Sequence, residues 1–435
     1  MTTRPVLYAV LTLFAINILN FYDRNLAGAL VEPVRKEFGL SDTQIGLLGS
    51  AFIWIYAVIG VPLGLIADRW SRKRLLICGV VLWTSMTALG GLATGFVFLL
   101  VTRLGVGVGE AVCAPVGTSW LGDLYPPAKR ARVLALFMLG VPVGSALSFF
   151  LSGPIGQAYG WRTAMVVAAL PALVLVPAVF LLREPERGAS EGIAKQGSAG
   201  SVWALLRIPT LWWIIASGVF LNFNIYAIST FLPALLSRVH GLTLAQSGTA
   251  TGVTFLIGGV AGGMLSGLVG DRAAAVRMNG RLLLATGLAL AGAPLAYAGV
   301  AQPAGETALA LVLFSLSYGM LNTYYGLVYS SLQEIVAPTQ RGITMAIYFL
   351  AMYLCGASFG PLLTGMASDF MARRAMAAAG ATQLTETFKA AGLQQAMVLI
   401  PILAVALAVV LYGASRTFGR DTERLRHAMA RQATA

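Results

Sequence analysis

Charge is what this sequence has least of. Only 11% of its 435 residues are Asp, Glu, Lys or Arg, against about 25% in a soluble globular domain. So few charges cannot cover a water-soluble enzyme, and that class is excluded first. Disorder is excluded by the opposite excess, because 57% of the residues are hydrophobic and mean hydropathy is +0.78. Cysteine is scarce too. Cys78, Cys113 and Cys355 are scattered through apolar stretches, which makes neither a disulfide framework nor a zinc site. All three are expected to be small core residues. His240 and His427 stand alone, outside the apolar runs. There is no N-x-S/T sequon, as suits a bacterial protein. The 49 glycines follow no three-residue period, so collagen is excluded. The glycines at 105, 107 and 109 follow no strand and form no dinucleotide loop. Phosphate-loop, Ser-His-Asp and metal-ligand constellations are missing as well, so no catalytic residue, metal or cofactor is assigned.

What is present is a series of long apolar runs. A helix needs about 20 residues to cross about 30 Å of hydrocarbon. Twelve runs qualify: Val6–Leu30, Thr43–Ile66, Leu75–Ala93, Phe96–Leu121, Val133–Ala158, Thr163–Leu182, Leu211–Leu236, Ser247–Val269, Leu282–Val300, Thr307–Leu332, Ile343–Ala367 and Leu393–Tyr412. Lipid offers no partner for an open backbone, so all are expected as helices. The first is too long for a cleaved signal peptide, and Asp23-Arg24 interrupts it. The basic residues orient the chain. With the N-terminus inside, 21 of the 30 Lys and Arg fall on inner segments and 7 on outer ones. That asymmetry predicts cytoplasmic termini and an inner-membrane location. It also accounts for the net charge of +13 without nucleic acid as a partner.

The chain repeats itself. Leu19-Asn20-Phe21 returns as Leu221-Asn222-Phe223, and at that offset Gly39-Leu40, Gln44 and Gly46 match Gly241-Leu242, Gln246 and Gly248. Gly64-Leu65-Ile66-Ala67-Asp68-Arg69 returns as Gly267-Leu268-Val269-Gly270-Asp271-Arg272. Asp123, Pro127 and Arg130 return as Glu334, Pro338 and Arg341. An ordered series with a slowly growing offset marks a duplication. The expected organisation is an N-terminal six-helix bundle over residues 1–182 and a cytoplasmic linker over 183–209. A C-terminal six-helix bundle over 210–413 and a basic cytoplasmic tail over 414–435 complete it. Two parallel six-helix repeats about an axis along the membrane normal are the plan of major facilitator transporters.

The motifs carry the same resemblance. Gly64-x-x-x-Asp68-Arg69-x-x-Arg72-Lys73-Arg74 resembles the cytoplasmic loop signature of the major facilitator superfamily, with Ser71 where a second glycine is usual. Arg103-x-x-x-Gly107-x-Gly109 resembles its fourth-span signature. Gly140-x-Pro142-x-Gly144 and Gly153-Pro154 resemble its fifth-span pattern. Asn20-Phe21-Tyr22-Asp23-Arg24, Gly107-Val108-Gly109-Glu110-Ala111 and Asp123-Leu124-Tyr125-Pro126 resemble the spinster-type branch of lysolipid and sphingolipid transporters. Asp-Arg in the first span also occurs in organic-anion and sugar-acid symporters of the superfamily, and that alternative stays open. The resemblance implies an all-α membrane protein of twelve helices working by rocker-switch alternating access. It also implies that the first, fourth, seventh and tenth spans line the cavity.

Four ionisable residues lie well inside the spans: Asp23, Arg24, Arg103 and Glu110. Charges there are costly and mark function or a structural pair. Arg103 and Glu110 are seven apart and share a helix face. Glu110, then Asp23, are the expected proton-coupling groups. Arg24 and Arg103 are the expected switch partners or anion contacts. The plainer reading makes Asp23 and Arg103 a static ion pair. The second half lacks such charges. Its candidates are Asn222, Asn224 and Tyr226 in the seventh span and Tyr318, Asn322 and Tyr325 on one face of the tenth, with Asn20 opposite them in the first half. Ions on one side and hydroxyls and amides on the other suit an amphiphilic, lipid-like substrate. The resemblance further implies that Asp68, Arg69, Arg72, Asp123 and Arg130, with Asp271, Arg272, Glu334 and Arg341, form a cytoplasmic gate. The expected partners are such a substrate, protons and membrane lipids, with the chain acting as a monomer. A transporter-like sensor is the alternative from another class. A membrane enzyme is disfavoured, since no acid–base cluster lies near a membrane surface.

Overall fold

The computed structural model describes residues 3–67, 70–186, 202–337 and 340–433. Among the described residues, twelve helices are long and apolar enough to cross a membrane: Arg4–Ala29, Asp42–Gly60, Arg72–Gly90, Phe96–Leu124, Arg132–Tyr159, Trp161–Leu181, Pro209–Arg238, Leu244–Val276, Gly280–Val300, Thr307–Glu334, Arg341–Ala378 and Glu386–Ala430. They are the twelve expected, and we number them as spans 1 to 12. The chain is thus an all-α, multi-pass membrane protein. Large apolar side chains stand outward on it, among them Val97, Leu173, Val174 and Leu181. On a water-soluble protein such a surface would aggregate; here it is the face that meets lipid.

Local chemistry sets the turns, and the repeat uses the same chemistry twice. The short helix Val31–Phe38 after span 1 ends at Gly39, whose φ of 62° is left-handed and needs glycine. Ser41 Oγ then accepts from the Gln44 amide, and Gln44 Oε1 accepts from the Ser41 amide. This reciprocal capping box starts span 2. At the same place in the second half, Gly241 has φ 68°. Thr243 and Gln246 repeat the box ahead of span 8.

Several spans are interrupted. Span 4 has a non-helical step between Glu110 and Cys113, and span 5 is broken at Leu139. Spans 8 and 11 each contain a wide π-type turn, Thr254–Gly258 and Met352–Ala357. Such turns are uncommon and gather at functional sites. The helices also close on one another through glycine. A Cβ on Gly144 would stand 2.3 Å from the Ile18 carbonyl oxygen, and one on Gly107 would stand 2.7 Å from that of Phe52. Only a residue without a side chain fits there.

The helices form two compact units. One comprises Met1–Lys195 with Ser229–Gly252, the other Gln196–Ile228 with Val253–Ala435. The first unit holds the far end of span 7 and the start of span 8 for identifiable reasons. Ser229 Oγ donates to Asn25 Oδ1 at 2.5 Å, and Gly248 packs on Gly153. In the second unit the last helix does not stop where the tail was expected. It runs unbroken over Leu399–Ala433, and Ala414, Phe418, Asp421 and Thr422 are buried. Cysteine also needs correction. Cys113 is buried, but Cys78 and Cys355 are exposed. In a lipid-facing protein an apolar neighbourhood in sequence marks the outer face as readily as the core. Most of the linker, residues 187–201, lies outside the described residues.

Replacing Gly144 by alanine should lower stability by about 1–3 kcal/mol through overpacking, read as a lower melting temperature in detergent. Gly60, whose Cβ would meet nothing within 4 Å, should accept alanine without loss. Equal melting of the two variants would contradict the packing described.

Candidate functional site

The charged site is built in the first unit from spans 1 and 4. Asp23 and Arg24 are adjacent, so their side chains leave the helix about 100° apart. Arg24 turns toward span 4 and span 2. Its Nη2 and Nε lie 3.2 and 3.3 Å from Glu110 Oε2. Its Nη2 also reaches Asn20 Oδ1 at 3.4 Å. The guanidinium sits over the rings of Tyr56, Phe21 and Phe52, 4.5, 4.6 and 5.4 Å from their centroids. Three aromatic faces and one carboxylate thus replace the water that a buried cation loses.

Asp23 turns the other way and is fully buried. The side chains beside it are Arg103 of span 4 and Thr87 and Trp83 of span 3. Neither of its carboxyl oxygens has a hydrogen-bond partner, and Thr87 Oγ1 and Trp83 Nε1 have none either. Arg103 does not pair with the Asp23 carboxylate. Its Nη1 donates to the Asp23 main-chain oxygen at 3.4 Å, while Nε and Nη2 are unpaired. The static Asp23–Arg103 ion pair is therefore corrected: the formed pair is Arg24–Glu110. Helix rotation decides it, since residues 23 and 24 cannot face the same partner. Glu110 keeps Oε1 unpaired. Buried polar groups without partners are rare and call for a reason.

The second unit offers hydroxyls and amides. Tyr325 donates to Asn222 Oδ1 at 3.3 Å, and Asn222 Nδ2 donates to the Gly218 carbonyl and toward Met352 Sδ. Tyr324 bonds Ser217 at 2.7 Å and Tyr348 at 3.0 Å. Tyr329 stacks edge-on against Tyr325, Tyr348 and Phe349. Tyr226 meets Tyr353 edge-on. Asn224 is buried with both amide ends unpaired. Tyr318 and Asn322 share no hydrogen bond with this group. Tyr318 stacks on Phe255 at 4.5 Å, beside the π turn of span 8, and Asn322 donates back to the Tyr318 carbonyl. Tyr348, Met352 and Tyr353 on span 11 belong to this group without standing out in the sequence. Their only signal was aromatic and thioether side chains at 348, 352 and 353, which on an apolar helix reads as packing.

Three further ion clusters tie helix ends together. Arg72, almost fully buried, pairs with Asp123 and Glu184, donates to Ser119 and the Pro185 carbonyl, and lies over Trp120. Glu184 also accepts from Ser71 Oγ and the amides of Arg72 and Lys73. It thus caps span 3 with a negative charge at the positive end of the helix dipole. The counterpart in the second unit is Arg281, which pairs with Glu334 and with Asp271 at 2.9 Å. Arg281 stands 209 residues after Arg72, yet only its acidic partners were singled out. Arg341 donates to the Gln333 carbonyl, and Arg272 is exposed. Asp68 and Arg69 lie outside the described residues, as does the Arg130 side chain. At the far ends of the first-unit helices, Arg238 holds Asp42 with two bonds of 2.8 Å and Glu32 at 2.6 Å, and Glu32 also pairs with Arg35.

Arg24→Gln leaves the Glu110 charge buried without its cation and should cost about 3–5 kcal/mol. Adding Glu110→Gln should recover most of the loss, and melting temperatures of the four proteins complete the cycle. Glu184 gives a pH signature. Burial raises its pKa, but hydrogen bonds from Ser71, the Arg72 and Lys73 amides and the Arg72 side chain outweigh this and hold it below its usual value. A depressed carboxyl stabilises the fold above its unfolded pKa and loses that contribution as pH falls through the folded value. Wild type should therefore melt above Glu184→Gln at neutral pH, and the gap should close as pH falls below about 4.

The comparisons agree with this architecture. Residues 13–361 match the sequence profile of the Major Facilitator Superfamily. The chain is 31% identical over 418 residues to an MFS-type efflux pump of Mycolicibacterium smegmatis, spanning 95% of this chain and 93% of that protein. It is 28% identical over 389 residues to spinster homolog 3 of Danio rerio, spanning 84% and 77%. A crystal structure of a bacterial homolog of the human lysosomal transporter spinster, inward-facing and unoccupied, matches with a TM-score of 0.87 at 27% identity. That match covers 97% of this chain and 99% of the other. A duplicated set of twelve spans, a profile match over most of its length and relatives that are transporters together place this chain in the major facilitator superfamily, as a spinster-like membrane transporter.

Proposed function

We propose that the protein couples movement of an amphiphilic, lipid-like solute, such as a lysophospholipid or sphingoid phosphate, to protons. Glu110 and Asp23 carry the proton, and Arg24 and Arg103 are their charge partners and the contacts for an anionic headgroup. The observation that supports this is the unequal pairing of two carboxyls and two guanidinium groups, buried side by side. Glu110 shares one oxygen with Arg24 and leaves the other unpaired, while Asp23 lies beside Thr87, Trp83 and Arg103 without a well-aligned hydrogen bond to any of their side chains. A proton on Glu110 removes the charge that holds Arg24. The freed guanidinium then binds a phosphate or carboxylate, whose geometry it matches. When the headgroup leaves, Arg24 returns to Glu110 and the proton departs.

The rest of the assignment follows the same logic. Asn20 in the first unit, and Asn222, Asn224, Tyr226 and Tyr325 in the second, are the neutral polar contacts assigned to that solute, whose long apolar body needs few of them. The Arg72–Asp123 and Arg281–Glu334 clusters act as gates, biasing a two-state equilibrium rather than binding solute. The excess of Lys and Arg on alternate loops supports cytoplasmic termini in the inner membrane, and one chain is the working unit.

The test uses purified protein in sealed liposomes with an internal pH dye. A lysophospholipid or sphingoid phosphate should move protons, and Glu110→Gln and Asp23→Asn should each reduce that flux at least tenfold. Proton movement with sugar acids alone would replace the lipid reading by small-anion symport. Wild-type flux in both variants would remove the proton role.

A further inference from the structure

The last helix carries a feature that transport does not use. It extends unbroken over Leu399–Ala433, which at about 1.5 Å per residue is about 52 Å, well beyond the about 30 Å of hydrocarbon. Its rotation is fixed by contacts with two other spans. Asp421 accepts from the Thr210 amide at 3.0 Å and from Thr210 Oγ1 at 2.6 Å. Thr417 and Thr210 share a hydroxyl bond at 2.7 Å. The Ser415 carbonyl accepts from Asn279 at 3.0 Å. Thr210 and Asn279 stand at the starts of spans 7 and 9, so residues 415–421 lie level with the ends of two neighbouring membrane helices.

With that face buried, the opposite face is determined. Ala414, Phe418, Asp421 and Thr422 point into the unit. Arg416, Arg420 and Arg424 follow at four-residue steps and project from the other side within about 80° of one another. Arg426 flanks them. All four are exposed; Glu423 is the exposed acidic residue among them, and Arg424 Nη1 also lies 3.8 Å from the Asp421 carboxylate. One turn earlier on the same side stands the exposed Tyr412, whose hydroxyl accepts from Arg416 Nη1 at 3.5 Å. An outward tyrosine at the start of a charged row is the usual marker of the membrane–water interface. From Arg416 to Arg424 the row climbs about 12 Å, so it begins at the headgroup layer and passes through it.

We infer that Arg416, Arg420 and Arg424 form a binding site for the phosphates of anionic phospholipids in the leaflet that borders this helix end. Guanidinium groups pair bidentately with phosphate, and clustered basic residues beside a membrane helix attract anionic lipid. The buried Asp421 contributes by position: its bonds to Thr210 hold the row outward toward lipid. The site lies wholly in the second unit and does not depend on the substrate proposed above.

The experiment measures binding of a phosphatidylglycerol probe to the full-length protein in detergent, with phosphatidylcholine as the neutral control. Wild type should prefer phosphatidylglycerol. R416Q/R420Q/R424Q should weaken that binding at least tenfold, and R416K/R420K/R424K should hold it within a few-fold. Soluble glycerol phosphate at millimolar concentration should not compete. Equal binding by wild type and the glutamine variant, or no preference over phosphatidylcholine, overturns the site. Competition by glycerol phosphate would show a free-phosphate site instead and also overturns it. Melting temperatures of both variants in detergent check that they fold.

Discussion

Hydrocarbon cannot hydrogen-bond, and every buried polar group in this molecule has to be accounted for inside the protein. The backbone meets that demand by forming helices. The charged side chains meet it by being few and by being matched. The two carboxyls Asp23 and Glu110 are matched in number by the two guanidinium groups of Arg24 and Arg103. Within this cluster the matching is incomplete. Arg24 is fully engaged by Glu110, Asn20 and three aromatic rings. Asp23 accepts a hydrogen bond from Arg103 at its main-chain oxygen and not at its carboxylate. A fully paired cluster would be inert, because separating buried charges is expensive. Under the proposed function, the half-paired cluster is where a proton or an anion is taken up.

The duplication supplied both halves with the same scaffold and left the chemistry to diverge. The capping boxes at Ser41/Gln44 and Thr243/Gln246 are the same device at the same place. The pairs Arg72–Asp123 and Arg281–Glu334 also correspond. The core of span 1 does not. At an offset of 202, Asn20 still meets Asn222, but Asp23 and Arg24 meet Ile225 and Tyr226. One repeat kept charge and the other took up aromatic rings. The second unit accordingly builds its polar contacts from phenol hydroxyls: Tyr324 with Ser217 and Tyr348, and Tyr325 with Asn222.

Irregular helix positions these groups. The π turn Met352–Ala357 in span 11 brings Gly356 within 2.4 Å, as a Cβ would measure it, of the Val219 carbonyl. The break at Leu139 in span 5 precedes Gly140 and Gly144, which close on Asn17 and Ile18. Corresponding spans of the two repeats are thus interrupted at corresponding places and press on spans 7 and 1. Beside the π turn of span 11, Tyr348 faces Tyr324 and Met352 faces Asn222.

Composition and hydrophobic run length alone determined that this chain is a twelve-helix membrane protein, because the bilayer sets both the solvent and the distance to be crossed. The repeated motifs added the duplication and the family. The four intramembrane charges were legible too, since a charge in an apolar run stands out. Pairing was not legible. Asp23 and Arg24 are neighbours in sequence but point about 100° apart, and only the packed rotation of span 1 gave Glu110 to Arg24 and left Asp23 beside Trp83 and Thr87. Tyr318, Asn322 and Tyr325 share a helical face by spacing, yet Tyr318 packs on Phe255 while Tyr325 reaches Asn222. The cysteines taken for core residues divided between core and lipid face for a related reason. In hydrocarbon both faces of a helix are apolar, so sequence pattern carries little record of which one turns inward. Neighbouring helices decide that through close contact, and such contact exists only once the chain is folded.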